Sequence, residues 1–382
     1  MQRNLTLVLF ALTCASAVFA QGTEARVAIV HVPEHGLQPS AAVDPQGVVH
    51  LVYFVGDPRG GDLRYVRSQD AGRSFSQPLA VQQRLGSAVA IGNVRGAQLA
   101  LGRGGRVHVA WNGVAPVDPT TKKGGVEPLL YTRLDAAGGK FEPERDVITA
   151  HHGLDGGSAL TADESGRVYV AWHAPDKDAK HEDDRRVWFA MSSDDGTTFA
   201  PERAASAAGT GVCPCCGMAA LALDGGGLAL AYRSARGGDH RDATLLVSAD
   251  GAAFTSRLLD EWKAPVCVMS TFSLVRGARG FFGAWEAEGR IRAGGLGETR
   301  FTRTLSEGVR CKYPSIACNA AGELLVAWVE GMNWSTSGTL VWRRVDAAGA
   351  TLDSGRGEPN DVPTWSTVQA LALRDGRFVI LE

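Results

Sequence analysis

Short apolar runs punctuate this chain, and one stretch shows the whole unit. Ala219 to Leu223 is an apolar run, Asp224-Gly225-Gly226-Gly227 a turn, and Leu228 to Tyr232 a second run that ends on an aromatic. A polar loop, Arg233 to Asp242, separates these from a third run, Ala243 to Val247, and a turn that closes on Phe254. Apolar runs of this length bounded by Gly and Asp predict β-strands.

The unit recurs from Pro39 to Phe75, Ala97 to Phe141, Ser158 to Phe199, Ser270 to Phe301 and Pro314 to Leu352, and Val368 to Glu382 supplies the first two strands of another. Recurrence of this kind decides the fold class before any site is considered. It predicts an all-β chain, a β-propeller of six to seven four-stranded blades. The count becomes seven when the amino-terminal strand near Arg26 to Val32 completes the last blade, closing the ring and removing open sheet edges.

The turns after the third strands carry a signature. Ser68-Gln69-Asp70-Ala71-Gly72-Arg73-Ser74-Phe75 and Ser192-Ser193-Asp194-Asp195-Gly196-Thr197-Thr198-Phe199 both read Ser-x-Asp-x-Gly-x-x-aromatic, with looser copies at Asp135 to Phe141, Ser248 to Phe254 and Asp346 to Leu352. The Asp accepts hydrogen bonds across the turn, the Gly takes a positive φ and the aromatic packs inward. This pattern resembles the Asp-box of the sialidase superfamily of propellers. The resemblance implies that the box is structural and lies on the face away from the usual active site.

The opposite face is built from the loops leading into the inner strands and those joining second to third strands, and it is where a site is expected. Those loops carry His35, His151, His152, Asp155, Cys213, Cys215, Cys216, Cys267, Arg310, Cys311, Tyr313 and Trp365, then Arg233, Arg241, Asp242, Glu286 and Glu330.

The cysteines are the most informative of these. Cys213, Cys215, Cys216, Cys267, Cys311 and Cys318 form an even set, which in an exported protein suggests disulfides. Cys311 and Cys318 flank one strand, and seven residues at ~3.3 Å each exceed the ~7 Å limit between bridged Cα atoms, so their partners lie elsewhere. Bridges from the Cys213 cluster to Cys267 and Cys311 would staple the inner strands of successive blades. The competing reading is a soft-metal site at Cys213, Cys215, Cys216 and Cys267, with Met218 and Met269 nearby, suited to copper or zinc. No cofactor is required on the first reading. The region around 211–290 is also similar to a group of secreted bacterial sialidase-like propellers, in which Cys-x-Cys-Cys precedes a Tyr-Arg pair (here Tyr232-Arg233), an Arg-Asp pair (Arg241-Asp242) and a later Cys (Cys267).

Sialidase chemistry needs an arginine cluster, a carboxylic acid and a Tyr activated by a neighbouring Glu. Tyr313 is the candidate nucleophile, with Glu286 or Glu330 as its partner. Arg233, Arg241 and Arg310, with His151, His152 and Asp155, are the candidate substrate-binding groups. The superfamily's amino-terminal Arg-Ile-Pro is absent, and His35-Gly36-Leu37-Gln38-Pro39-Ser40 stands in its place, which argues against an authentic sialidase. His50 and His108 lie on second strands between apolar neighbours and read as satisfied sheet histidines. Asn333-Trp334-Ser335 matches a glycosylation acceptor.

Residues 1–20, with Arg3, the apolar Leu5 to Leu12 and the small-residue site Val18-Phe19-Ala20, read as a secretory signal, leaving one domain over 21–382 in a periplasm or outside the cell. With 45% hydrophobic residues and a net charge of -2, the chain has material for a core and no polybasic face for nucleic acid. The expected role is recognition or processing of a glycan or another extracytoplasmic ligand by a monomer with no membrane span. The alternatives are a thiolate metal or redox protein and a non-catalytic interaction scaffold.

Overall fold

Blades 1 to 6 are antiparallel four-stranded sheets that follow the chain in order, so each repeat read from the apolar pattern is one blade. The computed structural model describes residues 25–116, 120, 124–176, 181–278, 280–297, 301–308 and 310–382; the expected signal lies outside them. The inner strands are Leu37–Val43, Gln98–Leu101, Ala159–Ala162, Ala219–Ala222, Phe272–Gly277, Cys311–Cys318 and, in blade 7, Gln369–Ala372. Each packs on the next, and the last returns to the first, closing the ring.

Blade 7 is completed by the amino-terminal strand, but not as a fourth strand. Val27–Val30 pairs directly with the second strand, Phe378–Leu381, and runs parallel to it, so among the described residues this sheet has three strands where four were expected. Chain direction explains the parallel pairing. In every other blade the fourth strand, which leads to the next inner strand, runs the same way as the second. Val27–Val30 leads directly into the inner strand of blade 1 and therefore has a fourth strand's direction while filling the third position.

The second-strand aromatics anchor the sheets. Tyr53, Trp111, Trp172, Tyr232, Trp285 and Trp328 occupy equivalent repeat positions, and all are fully buried. Hydroxyls join blades near the axis. Ser40, Thr161, Ser273 and Ser315 accept the backbone N–H of Leu99, Ala222, Ile316 and Ala370 respectively, each on the following blade, at 2.9 to 3.1 Å.

The Asp-boxes form the local networks expected of them. Ser68 Oγ accepts the Gly72 N–H at 2.7 Å and donates to Asp70, which accepts the Ser74 N–H and hydroxyl; Ser192, Gly196, Asp194 and Thr198 repeat this. Gly72 and Gly196 adopt φ of 88° and 77° there. The box aromatics bind one blade to the previous one: Phe141 packs edge-on to Tyr65, Phe199 to Tyr131 and Phe254 to Phe189. His50 and His108 hydrogen-bond the hydroxyls of Tyr65 and Tyr131, at 2.7 and 2.8 Å, and are structural.

Candidate functional site

The loops leading into the inner strands of blades 4, 5 and 6 meet on one face and bring the cysteine cluster, Arg233, Glu286 and Lys312 together. Backbone contacts fix the Cys213 to Gly217 loop. Cys213 N–H donates to Arg233 O at 2.9 Å, Gly217 N–H to Ser270 O at 2.9 Å, and the Cys216 carbonyl accepts the Gly157 N–H at 3.2 Å. The neighbouring Gly156 is required by space, since a Cβ there would lie 2.1 Å from the Cys216 carbonyl oxygen.

Within that loop the sulfurs of Cys213, Cys215 and Cys216 all lie within 4.8 Å of one another. Cys215 is bridged to Cys267, which staples blade 4 to blade 5 as the cysteine spacing suggested. The further expected bridge to Cys311 is absent: Cys213, Cys216, Cys311 and Cys318 are free thiols. Cys311 instead faces Glu330, with its Sγ 3.6 Å from Oε1. Cys318, at the far end of the same strand, directs its Sγ to Asn319 O at 3.5 Å.

Depth orders the cluster. Cys267 is exposed, Cys215 half-buried, and Cys213 and Cys216 buried among Ala235, Ala264 and Val268. Cys213 Sγ lies 3.6 Å from Cys215 Sγ and 3.3 Å from Cys216 Sγ. Ser270 directs its N–H, at 3.4 Å, and its hydroxyl, at 3.8 Å, to Cys216 Sγ. Burial pushes the Cys216 thiol up, but the hydrogen bond shared with Cys213, the Arg233 charge and the Ser270 donors outweigh it and bring the group down to about 6. The same shared bond, together with burial, raises Cys213.

Arg233 is the hub beneath this cluster. It is fully buried, and it donates to Ser270 Oγ, Arg241 O and Glu286 O, each at 2.6 Å. Its guanidinium also sits 4.9 Å from the Trp262 ring centroid and 5.2 Å from that of Phe272. Arg241 is buried as well and pairs with Glu182 at 2.8 Å. Both arginines were expected to bind a substrate anion, and both have their guanidinium groups turned to internal partners instead. Arg310 is exposed, on a left-handed residue with φ 64°.

Glu286 is fully buried and pairs with Lys312 Nζ at 3.2 Å, while the same ammonium donates to Val268 O at 2.7 Å. Burial raises this carboxyl to about 7 against the pull of Lys312 and Arg233. Tyr313 follows Lys312 on a bulge, where pairing jumps from Lys312 to Ser315 and Tyr313 takes φ 54°. Gln38 has the equivalent place in blade 1, also before a proline and with φ 50°. The Tyr313 hydroxyl is buried without a hydrogen-bond partner among the described residues, and burial and the Glu286 charge raise its pKa far above 10. The residue lines the central channel, a polar cavity of about 240 Å³ bordered also by Ser40, Gln98, Ser158 and Ser273.

The other expected site residues lie apart from this centre. Glu330 belongs to the rim of blade 6, where Arg356 at 2.7 Å and Trp328 Nε1 at 3.3 Å hold it, so of the two expected Tyr313 partners Glu286 is the one whose charge acts on it. His151 stacks on Trp188 with centroids 3.4 Å apart and contacts Glu202 at 3.3 Å, within its own blade. His152 is half-buried, and Asp155 pairs with Arg95 at 2.6 Å. Lys312, Ser270 and Trp262 were missed in the sequence. The neighbours of Lys312, Arg310-Cys311 and Tyr313, were the only signal for it.

No protein-family model and no curated protein matches the chain. Solved structures do match. A protein of unknown function from Dyadobacter fermentans aligns over 86% of this chain and 96% of its own at 15% identity, with a TM-score of 0.55. An α-L-arabinanase from Penicillium chrysogenum aligns over 84% and 95% at 12% identity and a TM-score of 0.53. A sialidase from Streptococcus pneumoniae aligns over 78% and 65% at 10% identity and a TM-score of 0.50. The chain is a seven-bladed β-propeller with the fold that the pneumococcal sialidase and the fungal arabinanase share.

Proposed function

We propose that this propeller binds a soft metal ion, copper(I), through the thiolates of Cys213 and Cys216 at the mouth between blades 4 and 5. The observation that carries the reading is the sulfur spacing. Two thiolates on one ion at ~2.3 Å each stand no more than roughly 4.6 Å apart, and the 3.3 Å contact between Cys213 and Cys216 lies inside that limit. Zinc(II) fills four positions, whereas the closed Cys215–Cys267 bridge leaves two thiols in the cluster, a set that suits the softer copper(I). Reduction of the bridge adds Cys215 and Cys267 as further ligands. The Ser270 donors and Arg233 favour the thiolate form that a metal needs.

Titration of the unreduced protein with copper(I) against a chromophoric competitor tests this. One equivalent should be retained, and Cys213→Ser or Cys216→Ser should lose it while Cys318→Ser keeps it. Folded protein with both thiols free that retains no copper sinks the reading.

A second reading, glycan processing, draws support from the shared fold and from Tyr313 lining the channel with Glu286 acting on it. It expects hydrolysis of fluorogenic arabinofuranosides or sialosides, lost in Tyr313→Phe. Glycan binding without turnover would leave the chain as an interaction scaffold.

A further inference from the structure

The ordering of the four sulfurs by depth has a chemical use independent of metal. An exposed bridge, Cys215–Cys267, stands over a buried dithiol, Cys213 and Cys216, and Cys213 touches both: it lies 3.6 Å from Cys215 and 3.3 Å from Cys216. Thiol–disulfide exchange proceeds by attack of a thiolate on a disulfide sulfur in contact with it. We infer that the cluster is a thiol–disulfide exchange centre that passes two electrons from the buried Cys213 and Cys216 to a surface dithiol, Cys215 and Cys267.

The steps balance within the chain. In the singly deprotonated pair Cys216 Sγ–H donates to Cys213 Sγ, and Cys213 Sγ attacks Cys215 Sγ. The Cys213–Cys215 bond forms, the Cys215–Cys267 bond breaks, and Cys267 leaves as a thiolate on the exposed side. Cys216 Sγ then attacks Cys213 Sγ and gives its proton to the departing Cys215. The bridge ends as Cys213–Cys216, one disulfide has replaced another, and no outside oxidant or reductant takes part. A molecule carrying an accessible disulfide is the class of partner that the resulting surface dithiol reduces: the Cys267 thiolate attacks it, and Cys215 resolves the mixed disulfide, restoring Cys215–Cys267.

The surroundings fit this direction of travel. Ser270, held by Arg233, hydrogen-bonds Cys216, the inner terminus of the relay. Cys267, its outer terminus, follows exposed Pro265 and Val266, the latter 61% exposed, an apolar collar against which a partner can seat. Cys311 and Cys318 take no part, since their sulfurs contact Glu330 and backbone groups of blades 5 and 6.

Alkylation of the unreduced, chelator-treated full chain with iodoacetamide tests the relay, and because metal is removed first its failure is separate from failure of copper binding. Peptide mapping should find Cys267 progressively alkylated in the wild type, with Cys213 linked to Cys216. Labelling of Cys267 should be lost in Cys213→Ser. In Cys216→Ser it should accompany a trapped Cys213–Cys215 bond, which keeps the test usable if Cys213→Ser fails to fold. Wild-type protein that keeps Cys267 unlabelled and bridged to Cys215 overturns the proposal, as does labelling that persists in folded Cys213→Ser.

Discussion

Arg233 shows how one buried charge organises the site. Three hydrogen bonds and two aromatic faces surround it, and they tie the second strand of blade 4 to Ser270 and Glu286 of blade 5. Arg233→Ala should therefore lower stability by about 3 kcal/mol or more in urea denaturation, because it opens a cavity and leaves buried acceptors without donors. Glu286 sets a pH dependence. Its carboxyl ionises near 4.5 in the unfolded chain and near 7 in the folded one, so between those values the folded state holds the extra proton. The Glu286 contribution to stability should therefore fall as pH rises from about 4.5 to about 7 and level off above it. Glu382, raised by burial to about 7, contributes with the same sign, while His108 and His173, held neutral by burial, contribute with the opposite sign, so the effect of Glu286 is read as the difference in melting temperature between wild type and Glu286→Gln, which should shift in favour of the variant as pH rises through this window. At this scale the sequence was partly legible. Cys-x-Cys-Cys announced a sulfur cluster because spacing alone forces those residues together. The roles given to Arg233 and Arg241 did not follow from spacing, since whether a guanidinium faces a ligand or a carbonyl depends on packing from another blade.

Elements in this fold are held by repeated small devices, and the inner-strand hydroxyls are among the most exposed to test. Ser315→Ala leaves the Ala370 N–H buried without its acceptor, which should cost about 1 to 3 kcal/mol, whereas Ser335→Ala, at an exposed loop, should be neutral in the same denaturation series. Strand positions were readable because each apolar run between Gly and Asp turns maps onto one strand, and the second-strand aromatic marked the same buried place in six blades. The bulge at Tyr313 was not readable. Its left-handed backbone arises from fitting Tyr313-Pro314 at the channel mouth, and a Pro on an inner strand signals only that the ladder is interrupted there.

For the whole molecule, the half-repeat at one end and the lone strand at the other predicted closure, and the ring closes there. The parallel pairing escaped the apolar pattern, which carries no chain direction. It makes a sharp prediction nonetheless. The Val30 carbonyl accepts the Glu382 N–H, so the polar groups of Val30 face Phe378–Leu381, and those of Ile29 face the open edge. Val30→Pro should destabilise the whole propeller, while Ile29→Pro should be tolerated, as read by melting temperature. The likeness to the sialidase and the arabinanase belongs to this scale as well. It extends over most of the ring at 10 to 15% identity.

Closure by this strand also sets an order of events during synthesis. Val27 pairs with Phe378, so this strand leaves the ribosome before the six blades that separate it from its neighbour. Blades 1 to 6 can form as the chain emerges, each on its own hairpins, but the ring stays an open arc until Phe378–Leu381 has been made.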